Sequence, residues 1–280
     1  MLKFTKMHGI GNDYIYINDM VEHVEDPSAL AVKLSDRHFS IGGDGVILIC
    51  SSDVADAKMR MFNADGSEGM MCGNGVRCVG KYVYDNLLTD KSRDTITIET
   101  LSGIKTLKIT AVNGKAELLE VDMGKAELKA ENIPVIYDGA DTVIAQPLVV
   151  DGKEHIVTCV SMGNPHCVTF VDDVDSLDLE KIGPHFENHI AFPQRINTEF
   201  VKVIDSNTLQ MRVWERGSGE TWACGTGACA TVVAAVENGY CKKGEDVTVH
   251  LRGGDLIINY TDERVLMTGP ATKVFDGEIE

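Results

Sequence analysis

The chain has 280 residues, of which 44% are hydrophobic and 25% are charged, an ordinary composition for a globular protein of one large or two average domains. The formal net charge of −17 argues against non-specific nucleic-acid binding, which needs a basic face. No apolar run approaches the ~20 residues of a membrane span, and the N-terminus lacks the apolar core of a signal peptide. We therefore expect a cytoplasmic protein that binds neither nucleic acid nor membrane.

The first half of the chain is predicted to be mostly strands with two helices. Pro27 near the start of an apolar-periodic segment predicts a helix over 27–38, and apolar residues from Val76 to Leu87 predict another over 76–88. Asn113-Gly114 is a hairpin signal. β-branched and alternating apolar residues predict strands at 2–7, 14–17, 46–50 and 58–63, and several more between 95 and 123.

The second half repeats this plan loosely. Asp151-Gly152 is a second hairpin signal, and Asn238-Gly239 is typical of a helix C-terminus. The predicted strands are 148–150, 155–160, 167–171, 198–204 and 208–215, and the predicted helices are 178–188 and 228–237. This order predicts an α+β fold of two pseudo-symmetric domains with a site between them.

The two halves also share one unusual motif. Asn63–Cys78 reads NADGSEGMMCGNGVRC and Glu215–Cys229 reads ERGSGETWACGTGAC. In each, a cysteine is followed by Gly-x-Gly and a predicted helix, and a glutamate lies four residues before the cysteine. The two cysteines, Cys72 and Cys224, are 152 residues apart, about half the chain. This repetition predicts an internal duplication that places two thiols in equivalent positions.

A cysteine on a glycine-rich turn at a helix N-terminus is placed for thiolate chemistry, because the helix dipole favours the ionised sulfur. Inversion of a carbon that carries a weakly acidic hydrogen needs a base on one face and an acid on the other. A thiolate and a thiol can perform this reaction together and exchange roles at each turnover. The pattern therefore predicts proton transfer by Cys72 and Cys224 without a metal or an organic cofactor.

The chain contains eight cysteines, and we expect all of them to be free thiols because nothing indicates secretion. The sequence has no Cys-x-x-Cys pair, so its spacing does not favour a structural zinc site. Cys78 and Cys229 fall inside the predicted helices and are interpreted as packing residues.

Five segments, taken in order, resemble the diaminopimelate epimerase family. They are FTKMHGIGNDY, NADGSEGMMCGNGVRC, SMGNPHCV, RIN at 195–197 and WERGSGETWACGTGACA, and the resemblance runs from Phe4 to at least Ala230. It implies two similar α+β domains, each a barrel-like and mostly antiparallel sheet around a central helix. The expected halves are 1–124, completed by a C-terminal strand at 266–280, and 125–265, with a linker between Gly124 and Gln146.

The resemblance also implies an activity and a set of site residues. The activity is interconversion of LL- and meso-diaminopimelate without pyridoxal phosphate, on the route to lysine and peptidoglycan precursors, by a homodimer. Cys72 and Cys224 would be the acid–base pair, and His166 and Glu215 would lie beside the thiols. Those two residues could tune the ionisation of the thiols, orient them, or bind the ammonium region of the substrate. The implied substrate-binding residues are Asn12, Asn63, Gly73, Asn74, Asn164, Asn197, Glu215, Arg216, Gly225 and Thr226.

One position departs from the family pattern. Many members carry glutamine where this chain has Gly45, so a substrate contact from that loop is not assigned. Two alternatives stay open: a proline or hydroxyproline racemase of the same superfamily, and a non-catalytic metal or redox-sensing protein built on the thiols.

Overall fold

The computed structural model describes residues 1–86, 88–90, 92–137 and 141–280. Leu87, which contributed to one predicted helix, and residues 138–140 of the proposed linker lie outside the described residues. The chain forms two compact units. The first unit comprises residues 1–122 and 268–280, and the second unit comprises residues 123–267.

Strands dominate both units. The helices are α1 Asp19–Glu22, α2 Pro27–Ser35, α3 Gly73–Asp85, α4 Leu179–Glu187 and α5 Gly225–Glu237, with one 3₁₀ turn at Ala130–Asn132. The strands are β1 Leu2–Gly9, β2 Asn12–Asn18, β3 Gly45–Cys50, β4 Ala57–Asn63, β5 Glu68–Gly69, β6 Thr95–Thr100, β7 Gly103–Val112, β8 Lys115–Asp122, β9 Gln146–Val150, β10 Lys153–Ser161, β11 Pro165–Phe170, β12 Asn197–Asp205, β13 Thr208–Glu215, β14 Gly219–Thr221, β15 Asp246–Leu251, β16 Gly254–Tyr260, β17 Val265–Pro270 and β18 Thr272–Ile279. None of the helices in the described ranges combines the length and the apolar composition of a membrane span.

Both units pair their strands in the same way. In the first unit β1 is antiparallel to β18 and β2, β2 is parallel to β3, β3 is antiparallel to β4, and β4 is parallel to β6. In the second unit β10 is antiparallel to β9 and β11, β11 is parallel to β12, β12 is antiparallel to β13, and β13 is parallel to β15. A hairpin to β7 or β16 continues each sheet. The repeated motif in the sequence thus lies in a repeated topology.

One helix occupies the interior of each unit. Helix α3 contacts β1, β2, β4, β6 and β8, and α5 contacts β10, β11, β12, β13, β15 and β16. A straight helix touches so many strands of one sheet only when the sheet curves around it. Every residue of α5 from Gly227 to Ala235 is buried, so all faces of this helix are covered, as expected for a helix enclosed by a sheet. The predicted α+β fold with a barrel-like sheet around a central helix is confirmed.

Local turn chemistry explains where the chain reverses. Asn113 and Gly114 both have positive φ (52° and 74°), as do Asp151 and Gly152 (51° and 75°). Two consecutive left-handed residues form the hairpin turn that matches the twist of the flanking strands, so both predicted hairpins are confirmed. Helix α2 ends at Ser35, earlier than predicted, because the next residues form a turn in which Asp36 accepts the amides of His38 and Phe39.

The first turn of α3 is fixed by a buried arginine. Arg77 is fully buried, and its guanidinium donates to the carbonyl oxygen of Gly73 at 3.2 Å, to Asn74 Oδ1 at 2.8 Å and to the carbonyl oxygen of Pro270 at 3.3 Å. These bonds join the start of the central helix to the end of β17. A buried arginine is therefore part of the support of the Cys72 loop.

Replacement of Arg77 tests how much its hydrogen bonds contribute to the stability of the fold. Arg77→Met retains most of the volume but leaves buried acceptors without donors, and each such group costs about 1–3 kcal/mol. We expect the free energy of unfolding to fall by about 2–4 kcal/mol in urea titrations. Lys108→Met, at an exposed position of β7, is the control and should change it by less than about 0.5 kcal/mol. Equal stability of the two variants would contradict this role.

Candidate active site

Cys72 is the N-cap of α3. Its backbone is extended (φ −127°, ψ 121°), and its Sγ accepts the backbone N–H of Gly75 at 3.3 Å. N-caps are normally Ser, Thr, Asp or Asn, whose oxygen takes this bond. A sulfur in the same place lies at the positive end of the helix dipole, where the ionised form is favoured.

Cys224 is the N-cap of α5 with the same geometry. Its φ and ψ are −110° and 106°, and its Sγ accepts the backbone N–H of Gly227 at 3.3 Å. Both helices begin directly after the cysteine, at Gly73 and Gly225, three residues earlier than the helices predicted from the sequence. Each glycine pair that the sequence suggests to be a turn is therefore the first turn of a helix.

Cys72 is hydrogen-bonded to the side-chain amide of Asn12, and this amide is linked to a network of ion pairs. Asn12 Oδ1 accepts from Cys72 Sγ at 3.2 Å, and Asn12 Nδ2 donates to Asp44 Oδ2 at 2.8 Å. Arg37 pairs with both Asp44 and Asp13, at 2.9 and 2.7 Å. Burial opposes ionisation of Asp13, but hydrogen bonds from Arg37 and Lys6 outweigh it and hold the pKa of Asp13 below its usual value. The fixed carboxylate of Asp44 turns the carbonyl of Asn12 toward the thiol.

The surroundings of Cys224 carry more charge. Thr226 Oγ1 lies 3.5 Å from Cys224 Sγ, and the carboxylates of Glu215 and Glu199 lie close enough to repel a thiolate. Burial and these two carboxylates raise the pKa of Cys224 well above its usual value, against the hydrogen bonds from Thr226 and Gly227. Burial likewise raises the pKa of Glu215, whose carboxylate accepts the hydroxyl of Thr221.

His166 connects the buried carboxylate of Glu199 to the residues around Cys224. His166 is fully buried, with Nδ1 2.7 Å from Glu199 Oε1 and Nε2 3.1 Å from Asn164 Oδ1. Asn164 Nδ2 in turn donates to Thr226 Oγ1 at 3.3 Å. The structure thus brings five residues of the second unit together around Cys224, and Glu199 is among them although the sequence did not point to it.

The remaining candidates divide into two groups. Asn197 is buried, and its amide donates to the carbonyl oxygen of Pro165 at 2.8 Å and accepts the backbone N–H of Arg216 at 2.9 Å. Arg216 donates from Nη1 to the carbonyl oxygen of Gln194 at 3.0 Å.

In the first unit Asn74 is buried against Arg77, and Asn63 donates to Ser67 at 3.0 Å. None of these bonds joins the four residues to a thiol.

The glutamate that precedes each cysteine by four residues has a structural role. Glu68 accepts Arg60 Nε and Nη2 at 2.8 and 3.1 Å, and Glu220 accepts Arg212 Nε and Nη2 at 2.8 and 3.0 Å. These paired bonds fix each cysteine loop to the strand before it, β4 or β13. The match between the two motifs therefore extends to an arginine on each strand, twelve residues before the cysteine.

The other cysteines and the possible metal ligands complete the description of the site. None of the eight cysteines, all of which lie in the described ranges, forms a disulfide, and Cys78 and Cys229 are fully buried, in line with their interpretation as packing residues. Burial raises the pKa of Cys78 to about 11, so it is protonated at neutral pH. The described residues contain no group of three or more His, Cys, Asp or Glu side chains that could hold a metal ion.

The fold is shared with solved structures of low sequence identity. A Bacillus anthracis phenazine biosynthesis protein of the PhzF family superposes with a TM-score of 0.70 at 16% identity, covering 100% of this chain and 99% of its own. A probable proline racemase from Agrobacterium radiobacter gives 0.72 at 12% identity, covering 100% and 93%. These similarities define the fold class, a two-unit α+β architecture used by several kinds of protein.

Sequence comparison is more specific. The sequence model of the diaminopimelate epimerase family matches residues 4–129 and 158–274. Proteins named diaminopimelate epimerase from Acetivibrio thermocellus and Methanococcus maripaludis are 59% and 57% identical to this chain. Each alignment covers 100% of this chain, and 99% and 100% of the relative. The chain belongs to the diaminopimelate epimerase family, so the resemblance found in the five segments is confirmed.

The third residue of each central helix gives a matched test of the two sites. A Cβ on Gly227 would lie 2.7 Å from Glu199 Oε1 and 3.1 Å from Cys224 Sγ, whereas a Cβ on Gly75 would meet the flexible ends of Ile47 and Met59 at 2.8 and 3.1 Å. We expect Gly227→Ala to lower the free energy of unfolding by about 1–3 kcal/mol more than Gly75→Ala, because the buried carboxylate is held in place. Urea titration of both variants measures the difference, and a larger loss for Gly75→Ala would contradict the packing described.

Proposed function

We propose that this protein interconverts LL- and meso-diaminopimelate by a two-base reaction of Cys72 and Cys224 that uses no pyridoxal phosphate. One observation carries the proposal: a chain that is 59% identical over its full length to a named diaminopimelate epimerase has a cysteine as the N-cap of each central helix. The epimerase reaction needs two groups that each take and give a proton, and the repeated cap supplies them.

The chemistry of the cap explains why sulfur suits this task. The hydrogen on the α-carbon of an amino acid is weakly acidic, so its removal needs a base whose conjugate acid has a pKa near the operating pH. In each unit the sulfur accepts a backbone N–H at 3.3 Å from the third residue of the helix, which stabilises the thiolate. One thiolate removes the proton, the other thiol returns a proton to the opposite face, and the two have then exchanged roles.

The helix N-termini also offer a binding place for the substrate carboxylate at the reacting carbon. The first backbone N–H groups of a helix have no partner within it, and they point along the positive end of the dipole. In this chain they belong to Gly73 and Asn74 of α3, and to Gly225 and Thr226 of α5. We assign these four residues to the carboxylate, where they also stabilise the charge that develops as the proton leaves.

The other polar candidates are assigned to the distant amino-acid end of the substrate or to its orientation. Asn63, Asn164 and Arg216 are partly exposed, and each carries N–H groups that can donate to a carboxylate. The side-chain oxygens of Asn63 and Asn164 can also accept from an ammonium group. Asn12 contacts Cys72 directly, so we assign it both to the thiol and to the substrate. Asn197 is proposed to act mainly by positioning Arg216, because its side-chain amide already bonds Pro165 and the backbone of Arg216.

The proposed setting follows from the proposed reaction. Its product is a precursor of lysine and of peptidoglycan, so we place the protein in the cytoplasm, where these pathways run.

We also propose a homodimer, the usual state of the family. Sedimentation equilibrium tests the dimer directly, and a single monomeric species across micromolar concentrations would contradict it.

A substrate comparison tests the proposed reaction against the proline racemase alternative. In heavy water, we expect deuterium to enter LL- and meso-diaminopimelate at the α-carbon, because proton removal exposes that carbon to exchangeable solvent hydrogen. L-proline serves as the matched substrate, since it has the same α-carbon chemistry without a second polar end. Mass spectrometry of the recovered amino acids gives the result, and incorporation into proline alone would overturn the proposal.

Removal of either sulfur tests the two-base assignment. Cys72→Ala and Cys224→Ala should each lower the rate of epimerisation by at least about 10³-fold, because each removes an acid–base group that the reaction requires. Cys78→Ala, which removes a buried packing thiol of α3, is the control and should reduce stability without this loss. Chiral chromatography follows conversion of LL- to meso-diaminopimelate. Retention of more than about a tenth of the activity in either catalytic variant would rule out that cysteine as a base.

A further inference from the structure

A buried carboxylate contacts the loop that carries Arg216. Glu187 is the last residue of α4, and only 6% of its surface is exposed. The negative end of the helix dipole opposes an acid at this position, and burial opposes its charge. The groups that surround this carboxylate must therefore compensate for both effects.

Three N–H groups donate to this carboxylate. Its Oε1 accepts the backbone N–H of Gly217 and Arg195 Nη1, each at 2.9 Å, and its Oε2 accepts the indole N–H of Trp214 at 2.7 Å. Each of these nitrogen groups can only donate, so all three bonds run toward the carboxylate. Trp214 and Gly217 flank Glu215 and Arg216 in the sequence. The carboxylate therefore holds the chain on both sides of these two residues.

The Gly217 amide lies in a tight turn that requires glycine. The backbone N–H of Ser218 donates to the carbonyl oxygen of Glu215 at 3.0 Å, which closes a four-residue β-turn. Gly217 has a φ of 79°, and Arg216 is not among the residues with positive φ. This combination is a type II turn, whose third residue is normally glycine. The position therefore has no side chain that could hold the turn from within.

The first unit holds its equivalent turn with a local acid. The N–H of Gly66 donates to the carbonyl oxygen of Asn63 at 2.9 Å, and neither Ala64 nor Asp65 has positive φ, so this turn is of type I. Asp65 Oδ1 accepts the backbone N–H and the hydroxyl of Ser67, at 2.9 and 2.6 Å. Asp65 is the residue that corresponds to the glycine at 217 in the repeated motif.

The two units also differ at the end of the preceding helix. Helices α2 and α4 each have nine residues and begin 152 residues apart (179 − 27), as the two cysteines do. Helix α2 ends at Ser35, whose buried hydroxyl has no hydrogen-bond partner in the described part of the chain. Helix α4 ends at Glu187 instead. The second unit thus lacks the acid of the turn and has an acid on the helix.

We propose that Glu187 is a positioning residue for Arg216, which it holds in place by anchoring the 215–218 turn to α4. Asn197 accepts the N–H of Arg216 and Glu187 accepts the N–H of Gly217, so two buried side chains hold consecutive amides. The turn is then ordered on folding, and substrate binding does not carry that cost. This inference rests on the proposed function, in which Arg216 binds the distant end of the substrate.

Enzyme kinetics test the proposal through the difference between binding and turnover. Glu187→Gln replaces an acceptor oxygen by an NH₂ group that faces N–H donors, so the anchor is weakened. We expect KM for LL-diaminopimelate to rise about tenfold and kcat to change by less than about twofold, because a contact at the distant end stabilises substrate and transition state equally. Glu180→Gln, the same change at an exposed position of α4, is the control and should alter neither constant.

Two further variants separate positioning from loss of stability. The nearest atom to a Cβ on Gly217, outside its chain neighbours, would be Arg195 Nη1 at 3.9 Å, so Gly217→Ala causes no clash. It acts by disfavouring the positive φ, and it should raise KM as Glu187→Gln does. In an Arg216→Gln background, Glu187→Gln should change KM by less than about twofold, because a residue that acts through Arg216 has no further effect without it.

Hydrogen exchange tests the anchor without any substrate, so its outcome is independent of the proposed reaction. In Glu187→Gln the Gly217 amide should exchange at least about tenfold faster than in the wild-type protein, as measured by mass spectrometry of peptides that cover 214–221. Peptides that cover 63–69 should not change.

The possible outcomes distinguish the two claims. A wild-type protein without activity on diaminopimelate would contradict the proposed function, and the exchange result would then decide the anchoring on its own. An unchanged KM in Glu187→Gln, a fall in kcat without a rise in KM, an additive effect in the double variant, or equal exchange of the Gly217 amide in both proteins would each overturn the inference.

Discussion

The bond from a backbone amide to a cysteine sulfur ties the chemistry of this protein to its fold. In each unit the sulfur is the cap of the one helix that the sheet encloses, so the position of the sulfur is the position of the helix. The helix contacts five strands in the first unit and six in the second. Glycine at the third helical residue lets the sulfur, the amide and the layer beneath approach each other. Any change that moves the helix therefore moves the sulfur.

The two units share the cysteine N-cap but differ in the residues that surround it. Below Cys72 the sheet presents an isoleucine, and the thiol donates to an amide held by Asp44 and Arg37. Below Cys224 the sheet presents a glutamate and a histidine, and the thiol is buried among charges. The two caps therefore share one backbone geometry and differ in their electrostatic surroundings.

Sequence reasoning found the elements and the cysteines because their signals are local. Hairpins at Asn113-Gly114 and Asp151-Gly152 follow from residues that tolerate positive φ, and the helix periodicity follows from burial of one element. The predicted starts of the two central helices lie three residues after the observed ones. The reason is that glycines at the first turn have a low helical propensity and are typical of loops. Tertiary enclosure of the helix overrides that propensity here.

Glu199 could not be predicted in the same way. It lies in a strand in which half of the other residues are polar or charged, and an acidic residue in such a strand is normally expected to face solvent. Its partner His166 is 33 residues away in sequence, and only the parallel pairing of β11 with β12 brings the two strands together. Long-range polar networks depend on strand register, which is a property of the whole sheet. The arginine partners of Glu68 and Glu220 were not predicted for a related reason, since their pairing crosses neighbouring strands.

The position of isotope label at low conversion tests most directly the claim that two separate sulfur atoms exchange protons with one carbon. LL-diaminopimelate is incubated in heavy water, and product and residual substrate are separated before about a twentieth has reacted. With two bases, one thiol keeps the abstracted hydrogen while the other delivers solvent deuterium. The account predicts one deuterium in essentially every meso product molecule. Product that retains the hydrogen of the substrate would show that a single group serves both faces, and would contradict the account.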